Sequence, residues 1–177
     1  MEDQDKFKGL AGWLVLVGLG VVISPIRLLI SYVPIYLPIF RDGTWEILTT
    51  VGSEAYHPLW GPLIIGEVIY NLSIVAFSFY LIYLFFSKHY LFPKFYIGIV
   101  VVSLIVIPLD AWFLSFVLPN KPVFDPDTIL EFSKVLVVAL VWVPYMLISK
   151  RVKATFVEKT SSEQIQPTAE TRGAIGR

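Results

Sequence analysis

Four stretches of this chain are apolar over lengths that a soluble core helix does not need, and they decide what it can fold into. A helix requires about 20 consecutive, mostly apolar residues to cross the hydrocarbon of a bilayer. The first run begins near Leu10 and stays apolar to Ile26, with a tail to Phe40 interrupted by Arg27, Pro34 and Pro38. With that run set at about 10–33, the other three cover about 63–86, 95–118 and 129–149. The predicted fold class is therefore all-α: a polytopic membrane protein built as a four-transmembrane-helix bundle. Composition agrees, because only 16% of the 177 residues are charged, against roughly 25% in soluble domains. The mean hydropathy is +0.71.

Local signals refine the span ends. In "DPDTILEF", Thr128 and Glu131 have the spacing of a capping box and predict the start of the fourth helix. Lys6 and Lys8 precede the first run as in a signal peptide, but "VVISPIRLL" contains no small-residue cleavage site. An uncleaved first span is expected. Cytoplasmic loops of membrane proteins carry an excess of Lys and Arg. Here Lys6, Lys8, Lys88, Lys94 and the "SKRVKATF" cluster share one side, while Asp42, Glu46, Glu54, Asp125 and Asp127 surround Arg41 and Lys121 on the other. That asymmetry predicts both termini in the cytoplasm, and a multi-pass protein of the cell inner membrane.

The chain then divides into a membrane domain, 1–157, and a polar tail, 158–177, expected to be a disordered cytoplasmic segment. The loop 41–58 is too polar to span. Trp45, Leu48 and Val51 fall on roughly one face, so either a short interfacial helix or a simple polar loop fits it. Trp13, Trp60 and Trp142 sit near span ends, as in an interfacial aromatic belt. No internal repeat is present to suggest an inverted-repeat transporter.

Much chemistry is excluded. Without cysteine there are no disulfides, thiolate metal sites or cysteine nucleophiles. His57 and His89 lie on opposite sides of one apolar run, so no metal site and no cofactor are expected. Zero formal net charge provides no field for nucleic acid. Ser53, Glu54 and His57 superficially resemble a nucleophile and base, but they lack a nucleophile elbow. Gly18 and Gly20 in "VGLGVV" suit close helix packing better than a nucleotide loop. The chain is read as a non-enzyme with no catalytic residues.

The spans do carry polar residues. Counting 1.5 Å per residue from the inner ends puts Arg27, Asn71, Asp110 and Lys134 roughly 22–25 Å up, and Glu67 roughly 28 Å up. Five groups from four spans would share one layer in the outer part of the bilayer. Glu67 and Asn71, at i and i+4, share a helix face. Arg27 is the expected partner for Glu67 or Asp110, with Lys134 as a second cation, since a charge in hydrocarbon costs about 2.5–3.5 kcal/mol unless paired or hydrated. Two uses of the layer remain open: fastening the helices in register, or binding a ligand, ion or partner. Prolines 25, 34, 38, 58, 62, 108 and 144 lie in or beside the spans, where each removes a backbone donor. Lys150, Arg151 and Lys153 form the strongest basic cluster and are expected to contact anionic lipid.

Four segments carry a resemblance: "GLAGWLVLVGLGVVISPIRLL", "PLWGPLIIGEVIYN", "LFFSKHYLFPKFYI" and "VWVPYMLISKRVKATFV". With its Gly-Trp-Leu opening, Glu-x-x-x-Asn in the second span and Ser-x-Arg-Val-Lys-x-Thr-Phe ending, the chain resembles a bacterial four-span membrane protein family known only as a domain of unknown function. The resemblance implies an integral inner-membrane protein and brings Glu67, Asn71, Tyr145, Ser149 and Arg151 forward as pattern positions. It implies no mechanism. The expected function is a binding, accessory or structural membrane subunit in contact with membrane lipids and with a membrane-protein partner or further copies of itself. The alternative is a small transporter or channel lined by Glu67, Asp110 and Arg27.

Overall fold

The structure is a computed structural model that describes residues 9–156. The tail from 158 and the first lysines, on which part of the expected topology rests, lie outside the described residues. The described residues form six helices, in chain order α1 (Trp13–Arg41), α2 (Thr44–Thr49), α3 (Trp60–Phe86), α4 (Phe92–Ser115), α5 (Pro126–Ile148) and α6 (Lys150–Thr155). Among the described residues there is no strand, and α1, α3, α4 and α5 are long and apolar enough to cross a membrane.

Pro34 and Pro38 do not end the first span, because α1 continues through Pro25, Pro34 and Pro38 to Arg41. A helix tolerates an interior proline at the cost of one hydrogen bond and a local bend. Gly12 precedes α1 at φ 61° and ψ −139°, a conformation open to glycine and strained for other residues. The start of α5 also differs from the capping-box expectation. Asp125 is the N-cap, accepting from the Thr128 amide at 2.8 Å, and Pro126 occupies the first turn. Aspartate at the N-cap followed by proline matches the stereochemical needs of a helix start. This frees Glu131, one turn further on, from capping. In the loop after α1, a short helix does form: α2 holds the Trp45 ring against Phe40, 5.4 Å between centroids, and beside Gly61 of α3.

α1 packs on α3, and α4 on α5, with α3 joining α4 through the turn at Ser87–Leu91. The packing is uneven along the bundle axis. Leu14, Val17 and Val21 of α1 meet Leu81, Leu84 and Phe85 of α3, Phe92 of α4, Met146 of α5, Val152 of α6 and Phe156 in one buried cluster. All of these belong to the end where the described residues begin and finish, at Gly9 and Phe156, here called the terminal end. The rings of Phe85, Phe92 and Phe156 pack together at 4.8–5.9 Å, Phe92 stacked on Phe156 and edge to face with Phe85. Trp13 and Trp142 meet edge to face at 6.4 Å and tie α1 to α5. Gly18 makes the closest approach: a Cβ there would stand 2.6 Å from the Phe85 ring, while Gly20 faces open space.

The closing motif of the chain becomes intelligible in this packing. Ser149 leaves the helical conformation at ψ 121°, ends α5 and caps α6 through the Val152 amide at 3.4 Å. Val152 and Phe156 enter the core. Thr155 Oγ1 accepts from the Gly9 amide at 3.2 Å and donates to the Gly9 carbonyl at 3.3 Å. Lys150 and Lys153 face outward, and Arg151 lies alongside Gly12.

Candidate functional site

Away from the terminal end, the helices bury few apolar side chains against one another, and the polar residues gather there instead. α1 and α3 run antiparallel, so one register fixes their levels. Gly18 stands against Phe85, and Tyr36 bonds to Asn71. A helical side chain leans toward its own N-terminus. Tyr36 therefore leans along α1 toward the terminal end, and its hydroxyl accepts from Asn71 Nδ2 at 2.6 Å. Asn71 is buried and Glu67 half-buried. The Glu67 carboxylate lies within electrostatic reach of the same hydroxyl, so one phenol stands beside both members of the Glu-x-x-x-Asn pair.

Two further carboxylates, Asp110 of α4 and Glu131 of α5, lie within electrostatic reach of Glu67. Tyr32 adds a second phenol from α1, close enough to feel Glu67, Glu131 and Tyr70. Tyr70 donates to Ser103 Oγ of α4 at 3.3 Å, holding α3 to α4 in the same region. The structure thus places Glu67, Asn71 and Asp110 in one region, with Tyr32, Tyr36, Tyr70 and Glu131 beside them. The i, i+4 spacing of Tyr32 and Tyr36 mirrors that of Glu67 and Asn71, and that was the available signal.

The two cations stand elsewhere. Arg27 makes no ion pair with Glu67 or Asp110, and its side chain is exposed on the outside of α1. In the α1–α3 register it falls midway between Gly18 and Tyr36, opposite Ser78. That is about three turns, roughly 16 Å, from the level of Glu67. Depth counting failed because it set Leu10 level with Phe86, whereas Gly18 is the residue that meets Phe85. Lys134 is likewise exposed on α5 and forms no ion pair among the described residues. Among the described residues no group of three or more His, Asp or Glu has the arrangement of a metal site.

Beside the Tyr36–Asn71 pair, a groove of about 260 Å³ opens between α1 and α3. Leu29, Val33 and Leu37 wall one side and Val68, Leu72 and Val75 the other. The groove is apolar apart from Tyr32, Tyr36 and Asn71, so it combines a hydrocarbon surface with hydrogen-bonding groups. In the loop between α2 and α3, Ser53 donates to the Ile47 carbonyl and His57 Nδ1 accepts from the Leu59 amide at 3.2 Å, so each side chain is engaged locally with the backbone.

A family model described as protein of unknown function (DUF2569) matches residues 7–157. No curated protein and no solved structure matches the chain.

Proposed function

The chain belongs to the DUF2569 family of proteins of unknown function, and from that premise we propose that it is a multi-pass inner-membrane protein acting as a binding or accessory subunit. The observation that carries this reading is the contrast between the two ends. One is closed by a continuous apolar core. The other holds the Tyr36–Asn71–Glu67 cluster beside an apolar groove. Such a bundle retains an amphiphile or a partner segment at one level of the membrane. Among the described residues, the apolar core closes the terminal end below the polar cluster, which weighs against the transporter or channel lined by Glu67, Asp110 and Arg27. The distance of Arg27 from the carboxylates weighs against it too.

The cytoplasmic assignment of both termini rests on charge. Lys88, Lys94, Lys150 and Lys153 lie at the terminal end, and Asp42, Glu46, Glu54 and Asp127 at the other. Lys150, Arg151 and Lys153 then meet anionic lipid, at about 1 kcal/mol each. No catalytic role is proposed.

Extraction into native lipid discs followed by mass spectrometry tests the reading. A protein or lipid held in fixed proportion, and lost in Asn71→Leu while the helices persist, is the expected result. A bare chain surrounded by lipid of bulk composition would overturn it.

A further inference from the structure

Arg27 is the central residue of α1, about 21 Å from either end of the helix. Its side chain is exposed and, among the described residues, has no ion-pair partner; of these residues only Tyr32, on the same helix, lies within its electrostatic reach. Charged side chains inside membranes almost always pair or face water, because hydrocarbon penalises the lone charge. From that depth a guanidinium reaches neither interface, and its lean toward the α1 N-terminus carries it further from the carboxylates of its own chain.

The residues around it are shaped for a close neighbour. Gly20, Ser24, Arg27 and Ser31 follow one another at spacings of four, three and four on one helix face. Small residues at such spacings let a second backbone approach. A Cβ at Gly20 would meet nothing, and Ile23 and Ile30 border the stripe at 48% and 70% exposure. We propose that this face of α1 docks a transmembrane helix of a different protein, one that carries an aspartate or glutamate at mid-membrane depth to pair with Arg27. A second copy of this chain does not meet the requirement. Lying parallel in the same membrane, it would present Glu67, and the Asp110 and Glu131 clustered with it, roughly 16 Å away along the membrane normal.

The inference deepens the accessory reading by naming the surface and the chemistry of the partner. The test is Ile30→p-benzoylphenylalanine in the full chain in native membranes, crosslinked by light, with the same group at Leu140 of α5 as the control surface. The expected adduct is a single protein species at position 30. It falls roughly 30-fold or more in Arg27→Leu, as for one side of a desolvated ion pair removed, and persists in Arg27→Lys. The captured protein must contain an intramembrane acidic residue whose change to Arg restores the adduct to Arg27→Glu. Adducts with lipid alone, with a second copy alone, or with a protein captured equally by Arg27→Leu overturn the inference. Arg27 variants are compared only where circular dichroism matches the unsubstituted chain, which an outward-facing side chain permits. A groove-bound species lost in Asn71→Leu but found without any position-30 adduct would sink this inference and leave the accessory reading standing.

Discussion

The Thr155 hydroxyl bridges both polar groups of one peptide residue, taking the Gly9 amide at 3.2 Å and giving to the Gly9 carbonyl at 3.3 Å. The two residues are 146 positions apart, so a single side chain fastens the segment before α1 to the end of α6. Thr155 is buried, and Phe156 beside it lies in the aromatic stack. The clasp is thus continuous with the core. Thr155→Val keeps the shape but strips the hydroxyl, leaving the Gly9 groups to water or to nothing. The expected cost is about 1 kcal/mol, and amide exchange should quicken at Gly9 and Phe156 while the middle of α3 stays protected. Unchanged exchange at both ends would show that the bridge does not hold them.

Gly18 is a tighter constraint. Its missing Cβ makes room for the Phe85 ring, and the ring is held in turn by Phe92 and Phe156. Gly18→Ala should destabilise the bundle by about 1–3 kcal/mol through overpacking. Gly66→Ala, where a Cβ meets nothing, should be neutral or slightly favourable, since alanine suits a helix interior better. Thermal unfolding of both variants in the same detergent checks the contrast, and equal midpoints would refute it.

The Tyr36–Asn71 bond invites a double-mutant cycle. Tyr36→Phe and Asn71→Leu should each cost about 0.6–2 kcal/mol, the range of interhelical hydrogen bonds in membranes. Together they should cost less than the sum, because the first change already removes the bond. Strict additivity would mean that the two groups do not act on each other.

Asp125 sets a pH dependence outside the spans. Bonds from Lys121, 2.5 Å away, and from the Thr128 amide hold its carboxyl well below the usual carboxylate range. A folded-state pKa that is depressed adds stability above the unfolded value and loses it as pH falls through the folded one. The start of α5 should therefore stay protected from exchange through mildly acidic conditions and fray only below the ordinary carboxylate range. In Asp125→Ala the fraying should be present at every pH. Fraying of the unsubstituted chain already at pH 5 would contradict this account.

The candidate site was half legible in the sequence. Glu67, Asn71 and Asp110 stood out because polar groups are conspicuous in apolar runs, and the structure gathers them. Tyr32 and Tyr36 were hidden among aromatic residues that also fit an interfacial belt. Glu131 was hidden by a capping-box pattern that Asp125 and Pro126 displaced. Arg27 was visible but set at the wrong level, since counting from a span's end assumes aligned ends.

By itself, the sequence determined the number and character of the long helices. Hydrophobic length is additive along a chain and needs no knowledge of neighbours. It also contained the chemistry of the closing motif without its meaning. Only the tertiary structure decided that Ser149, Val152, Thr155 and Phe156 close the bundle against Gly9 and the core, and that α1 slides along α3 until Gly18 accepts Phe85. That register is set by side-chain shape across an interface, and it is what turns Arg27 away from the carboxylates and leaves its charge facing outward.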